Sequence, residues 1–394
     1  MVFSDFGILI IKKVWDFIKD PFYYQRIPDT PLVLNINDDC KSEQKRALVC
    51  YLPYSFFYNW DKTYMGRTQP FEIMKIVKVF SELGYAIDII GCNDLKALEI
   101  IKDRNYNIIF GFGEAFFKLT NLYPNILSIL FMTENTPEFS FKQEKDRMDY
   151  FFSRHGKKIK LARSGKFYKI KHLEKRYSHV ITMGETELLK NSYANASFIF
   201  PTGLRNTRYI FSNKDHEQSR HNYLWFGSTG AIHKGLDILI DVFSGRDDVR
   251  LHICGLTKEE KKILKFKGRS NIIDYGRIDV NSDAYLELVY KCSYIILPSC
   301  SEGFSTSVTT GMLHGLIPVV IKNTGFNRAG DHAVFLEDYK VEYVDNKLND
   351  LSGADPQDLF KLSRKVYDFA QKNFRLEAFE ENFRNIMTGL RTEI

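Results

Sequence analysis

Apolar and polar positions along this chain alternate between two periods, and the alternation predicts strands and helices in turn. Ala47–Leu52 is a short apolar run with the look of a strand. Phe71–Leu83 has helical spacing and stops at Gly84, a C-cap, and Ala86–Ile90 is the next strand. Asp94–Asp103 reads as a helix, while Asn107–Gly113, Ile126–Met132 and His179–Met183 read as strands. Between the last two lies Thr133–Lys175, basic and Arg-rich, which predicts two helices covering part of a sheet. A Glu-rich helix over Glu185–Tyr193 and a strand over Ser197–Phe200 close the first series. Asn206–His221 is polar and without period, as an interdomain linker is. A second series then runs through strands at Tyr223–Phe226, Val249–Cys254 and Tyr294–Leu297 and helices at Gly235–Phe243 and Lys258–Phe266. Ile272–Tyr275, Ala284–Lys291, Ser307–His314 and Val319–Ile321 continue it, and Asp355–Lys372 and Ala378–Leu390 are terminal helices.

This alternation predicts an α/β protein with parallel, doubly wound sheets, whose ligands bind at the C-terminal strand ends. At 394 residues the chain is too long for one ordinary core. The expected division is an extension over residues 1–45, a Rossmann-like domain over 46–205, a linker over 206–221, a second Rossmann-like domain over 222–372, and a final helix over 373–394 that packs back on the first domain. A cleft is expected between the two domains. The extension contains Phe6–Lys19, a short amphipathic stretch with Lys, Trp and Phe. It reads as a helix packed on the first domain, with a membrane-surface anchor as the alternative. It lacks the basic start and small-residue cleavage site of a signal peptide. No apolar run reaches the ~18–20 residues of a membrane-spanning helix.

Composition narrows the partners. Hydrophobic residues make up 44% and charged residues 26%, as in soluble globular domains. The aromatic share of 14%, with 32 Phe and 22 Tyr, points to an aromatic core. The net charge of +6 suits anionic substrates or an anionic membrane face. Its basic residues are dispersed among acids, which argues against nucleic acid. Six cysteines show no metal-ligand spacing and fit a reduced cytoplasmic setting.

Two segments carry candidate chemistry. In Trp225–Asp237 a strand ends in Gly227, Ser228 and Thr229, and a helix begins near Lys234 and Gly235. Glycines let backbone N–H groups approach an anion, and Lys234 adds a point charge where a diphosphate would sit. His233 could donate to a phosphate oxygen, and the spacing is not that of a P-loop. In Ser293–Ser307 a buried strand runs into Pro298-Ser299, then Glu302-Gly303, then Phe304, Ser305 and Thr306 at a helix start. A carboxylate there suits sugar hydroxyls, and first-turn N–H groups suit phosphate. Read alone, the first segment is an ordinary strand–helix turn and Glu302 a cap or surface acid.

Together these residues resemble the retaining GT-B glycosyltransferases, specifically the large family 4 group. Phe200-Pro201-Thr202-Gly203-Leu204 is similar to that family's Pro-Asn-Gly-Val turn, and Gly227–Asp237 to its glycine strand end followed by Lys-Gly-hydrophobic-Asp. Pro298-Ser299, Glu302-Gly303-Phe304, Gly311-Met312 and Gly315–Val320 are similar to its E-x7-E region. The resemblance covers residues 180–390 well and the first half loosely. It implies a GT-B fold and transfer of a sugar, with retention, from a nucleoside diphosphate donor held by the second domain to a glycan or lipid-linked acceptor on the first. Lys234 would neutralise the leaving diphosphate and Glu302 would sit near the donor sugar. No metal or other cofactor would be needed. Two positions depart from the family: its second Glu falls at Thr310, and its Arg falls at Thr229, so that Ser228, Thr229 and His233, or an arginine such as Arg205 or Arg277, must replace that contact.

In the first half, Gly66-Arg67 takes the place of the family's glycine-rich loop and is a candidate acceptor or phosphate contact. Glu134 follows a strand and is a candidate base or acceptor ligand. Arg147, Arg154 and Arg163 with His155 form a basic segment, read either as a solvated face or as contact with an anionic acceptor. The activity expected is therefore that of a cytoplasmic hexosyltransferase in surface polysaccharide or lipopolysaccharide synthesis, working at the inner face of the plasma membrane. A sugar-nucleotide epimerase of the same fold and a non-catalytic nucleotide- or glycan-binding relative are the alternatives.

Overall fold

The structure is a computed structural model that describes residues 32–39, 43–56, 67–163, 177–189, 196–264, 266, 268–322 and 324–392. The amphipathic stretch Phe6–Lys19 and Gly66 lie outside the described residues. The chain divides into two compact units, Met1–Ser128 and Ile129–Ile394.

The first unit contains β1 (Val33–Ile36), β2 (Arg46–Tyr51), α1 (Gln69–Glu82), β3 (Ala86–Gly91), α2 (Ala97–Ile101), β4 (Ile108–Gly111) and α3 (Gly113–Leu122). The strands lie in the order β1-β3-β2-β4, with β2 parallel to both β3 and β4 and β1 antiparallel on the edge. Every residue of β3 is buried, as expected of a parallel strand covered on both faces. Its one charge, Asp88, is satisfied by the Asn35 N–H and the Tyr106 hydroxyl, both at 2.8 Å, and by Arg104 at 2.9 Å. Neither β1 nor α3 was expected from periodicity. The strand expected over Asn107–Gly113 stops at Gly111, because α3 begins at Gly113.

The chain passes into the second unit within β5 (Leu127–Met132) and continues through α4 (Pro137–His155), β6 (His179–Thr182) and β7 (Ser197–Phe198), with β6 parallel to both its neighbours. The segment expected as a linker is not bare: Asp215 caps α5 (His216–Ser219) by accepting from the N–H groups of Glu217 and Gln218. The chain continues through β8 (Asn222–Phe226), α6 (Leu236–Ser244), β9 (Arg250–Cys254), α7 (Lys258–Leu264), β10 (Ile272–Asp274), α8 (Asp283–Lys291), β11 (Tyr294–Leu297), α9 (Thr306–Met312), β12 (Ile317–Ile321), β13 (Val334–Leu336), α10 (Val341–Ser352), α11 (Pro356–Asn373) and α12 (Leu376–Thr392). Six strands form one sheet in the order β10-β9-β8-β11-β12-β13, every pair parallel. The chain winds outward from β8 through β9 to β10, then returns to β11 and winds the other way. The order therefore reverses between β8 and β11, and the crevice outside the carboxyl ends of these two strands is where such sheets bind ligands. Both candidate segments lie there, because one follows β8 and the other follows β11.

Candidate functional site

The turn after β8 is tight because Lys234 N–H donates to the Gly230 carbonyl at 2.8 Å and Gly235 N–H to that of Ile232 at 3.0 Å. Gly235 has a φ of +75°, and a Cβ there would lie 2.4 Å from the Pro298 carbonyl oxygen, so only glycine lets the two loops meet. The loops are then bonded to each other. The His233 carbonyl accepts from the Cys300 N–H at 3.0 Å. A third loop, after β5, closes on them: Asn135 Nδ2 donates to the Glu302 carbonyl at 2.7 Å, and a Cβ on Gly303 would lie 2.2 Å from the Thr133 carbonyl oxygen.

At the centre Lys234 Nζ lies 2.5 Å from Glu302 Oε1, both side chains almost wholly buried. Arg163 Nη2 lies 3.7 Å from Glu302 Oε2 and 3.1 Å from Glu134 Oε1. Ser299 Oγ donates to Glu302 Oε1 at 3.2 Å. Burial alone would raise the Glu302 carboxyl, but Lys234, Arg163 and His233 outweigh it and hold the group down to about 2. Glu302 is thus an ionised carboxylate facing cations, suited to accepting hydrogen bonds from hydroxyls and unsuited to giving up a proton.

His233 takes a different role from the phosphate donor expected of it. Its Nε2 lies 2.5 Å from the Ser301 carbonyl oxygen and its Nδ1 3.2 Å from Glu144 Oε1. Nδ1 also lies 3.4 Å from Cys300 Sγ. Burial opposes the charge, yet Cys300, Glu144 and Glu302 push the ring up to about 10. Glu144, fully buried, also accepts from the backbone N–H groups of Ala162 at 2.8 Å and Arg163 at 3.1 Å. His233 is therefore committed to fastening the turn, through Glu144, to the segment that carries Arg163.

Five further residues of these segments make their side-chain or backbone contacts within the protein. Arg147, a candidate acceptor contact, is fully buried on α4, where it pairs with Asp237 of α6 and lies over the Tyr339 ring at 5.2 Å. Arg154 of the same basic segment pairs with Asp237 and Asp241. The two aspartates stand one helical turn apart, and Asp237, fully buried, needs a cation because burial of an unpaired carboxylate is costly. Thr310, standing where a second carboxylate was expected, spends its hydroxyl on the chain: it accepts from the Leu204 N–H at 3.0 Å and donates to the Thr306 carbonyl at 2.7 Å. Gly227 gives its N–H to the Cys254 carbonyl at 3.0 Å and lies against the Trp225 ring, so it serves packing. Phe304 packs its ring on Phe326 at 4.1 Å and on Phe200 at 5.4 Å, leaving only its backbone for a ligand.

The remaining candidates divide simply. Ser228 and Thr229 are exposed at the rim of the turn, Ser305 is buried with its hydroxyl 3.0 Å from that of Ser307, and Thr306 is half-buried. The next two amides of the turn, Gly230 and Ala231, both donate to Glu260 Oε1 at 2.7 Å. Arg67, half-buried, precedes α1 in the first unit. Arg205 and Arg277 are exposed, and the guanidinium at the Lys234–Glu302 pair is that of Arg163. Its position could be anticipated only as part of a basic stretch, and Glu144 carried no signal at all.

Residues 210–358 match the family model described as Glycosyl transferases group 1. Sucrose-phosphate synthase from Thermosynechococcus elongatus superposes with a TM-score of 0.62 at 11% identity, over 89% of this chain and all of that one. WaaG, a glycosyltransferase involved in lipopolysaccharide biosynthesis, gives 0.55 at 15% over 87% of this chain and all of its own. The chain has the GT-B fold. HepE from Anabaena, solved in complex with UDP-glucose, shares this fold at a TM-score of 0.56 and 11% identity, over 88% of this chain and all of that one. An uncharacterized glycosyltransferase of Methanocaldococcus jannaschii is 28% identical over 125 residues, which is 32% of this chain and 34% of that protein. The matched family domain thus contains Lys234, Glu302 and the whole β8–β11 switch point. Among the described residues, no helix is long and apolar enough to cross a membrane.

Proposed function

We propose that this chain is a retaining, family 4-like glycosyltransferase that moves a sugar from a nucleoside diphosphate to a glycan or lipid-linked acceptor. The observation that carries the reading is the buried Lys234–Glu302 pair, 2.5 Å apart, at the sheet's switch point. When the donor's bond from sugar carbon to phosphate oxygen breaks, its electron pair and negative charge pass to the diphosphate. Lys234 is the group positioned to stabilise that charge in a site shielded from water. Glu302, held ionised, accepts hydrogen bonds from donor-sugar hydroxyls and fixes the ring's orientation. The incoming hydroxyl bonds to the same face of the sugar carbon and passes its proton to the departing diphosphate oxygen. Glu134, partnered by Arg163 at 3.1 Å, is the carboxylate nearest to hand for orienting it.

Lys234 acting as the leaving-group cation makes the reaction metal-independent. A hexose as the transferred sugar and a surface polysaccharide or lipopolysaccharide as the product complete the proposal, with WaaG as the neighbour that motivates it. Activity in the cytoplasm, at the inner membrane face, accords with the excess of positive charge and with Cys50, Cys92, Cys254, Cys292 and Cys300 as buried free thiols. The test is a panel of sugar nucleotides with the purified protein, scored by released nucleoside diphosphate with and without EDTA. Release from one donor, unaffected by EDTA, is expected. Binding of donors without release from any would favour the non-catalytic relative instead.

A further inference from the structure

A diphosphate brings at least two negative charges, and Lys234 supplies one positive charge against them. The rest of the turn from Gly227 to Gly235 offers His233 alone, and both its nitrogens are committed to Ser301 and Glu144. A second cation has to come from outside the turn. Arg163 is already there. A Cβ at Gly230 would lie 3.4 Å from its Cγ and 3.5 Å from its Cδ, so its stem runs over the turn toward Lys234. Its backbone is fixed to the same turn, since its N–H shares Glu144 with His233. Its side chain is 28% exposed, whereas Arg147 is fully buried in its pair with Asp237. Of the arginines of the basic stretch, it is the one whose side chain is partly exposed and whose guanidinium lies beside Glu302.

Resting on the donor reading above, we propose that Arg163 is the second cation of the diphosphate site, and that it exchanges Glu134 and Glu302 for phosphate oxygens when the donor binds. The exchange is chemically even-handed. A guanidinium presents the same fork of N–H donors to carboxylate and to phosphate, and its partly exposed pair with Glu134 is a weak one. Lys234 keeps Glu302 partnered while Arg163 moves. A point charge at position 163 would reproduce the attraction without the fork.

The test uses the full chain, calorimetry with UDP, GDP and ADP, and ligand-observed NMR with the nucleoside of whichever diphosphate binds best. Arg163→Ala is expected to weaken the diphosphate about 10- to 100-fold, one charge-assisted contact, and to leave the nucleoside unchanged. Arg163→Lys should recover part of the loss. If Lys234→Ala weakens the diphosphate and Arg163→Ala does not, the role of Arg163 is overturned and the donor site stands. If neither does, the donor site itself fails. Equal loss of diphosphate and nucleoside in Arg163→Ala would mark a structural part and also overturn the proposal.

Discussion

Replacing Lys234 by methionine removes the ammonium and keeps most of the stem. Glu302, 7% exposed, is left with Arg163 at 3.7 Å and the Ser299 hydroxyl at 3.2 Å. Removing one partner of a buried pair costs about 3–5 kcal/mol, and the two remaining partners put the expected loss of stability at about 3 kcal/mol. The same ammonium is assigned to the diphosphate, where one charge-assisted contact contributes about 1.5–3 kcal/mol, or roughly 10- to 100-fold in affinity. The double variant Lys234→Met, Glu302→Gln separates these effects. It no longer buries an unpaired carboxylate, so it should be about 1–3 kcal/mol more stable than the sum of the single changes implies. It still lacks the cation, so its affinity for nucleoside diphosphate should stay low. Urea unfolding measures the first quantity and calorimetry the second. The pH dependence adds a sign. Glu302 is lowered from 4.5 to about 2, so its contribution is present above the unfolded carboxylate value and fades as pH falls toward 2; Lys234→Met should flatten that acid limb. Strict additivity of the two substitutions would refute the ion pair. Recovery of affinity in the double variant would refute direct contact between Lys234 and phosphate.

Three other outcomes follow from the geometry. Arg147→Met leaves Asp237 with Arg154 alone and should destabilise by about 3 kcal/mol, the low end for a broken buried pair, while the KM for acceptor, measured on the folded fraction, stays unchanged. Gly303→Ala places a methyl 2.2 Å from the Thr133 carbonyl oxygen; forcing the two loops apart should cost about 1–3 kcal/mol in thermal unfolding and lower donor affinity. Lys214 donates to the carbonyls of Val289 and Cys292, and burial lowers it to about 7. The unfolded chain therefore binds the extra proton between about pH 7 and 10.5, stability should rise with pH across that window, and Lys214→Met should abolish the rise.

Much of the second unit was legible because its strands are continuous apolar runs. Tyr223–Phe226 and Tyr294–Leu297 sit where the pattern puts them, and the residues just beyond them, Lys234 and Glu302, come together because the sheet's order reverses there. Elements with mixed composition escaped. The α10 segment, Val341–Ser352, buries few side chains and is mostly polar, so periodicity had little to report. Glu144 and Arg163 were opaque for another reason: their meaning lies in partners far along the chain, Glu144 with His233 and Arg163 with Glu302. One signal was available for Arg147 and Arg154. Asp237 interrupts the apolar run of α6 on its buried side, with Asp241 one turn on, and a buried carboxylate calls for a cation elsewhere. Thr310 misled because a family position was read as a ligand contact, whereas its short hydroxyl reaches only the Leu204 amide and the Thr306 carbonyl.

The central claim is that the crevice between β8 and β11 holds a nucleoside diphosphate against Lys234. A crystal structure of the full chain with the diphosphate that binds best decides it. Phosphate oxygens are expected at hydrogen-bonding distance, about 2.7–3.2 Å, from Lys234 Nζ and from the Arg163 guanidinium. A nucleotide bound anywhere else, with the Lys234–Glu302 pair undisturbed and no phosphate beside it, would contradict it.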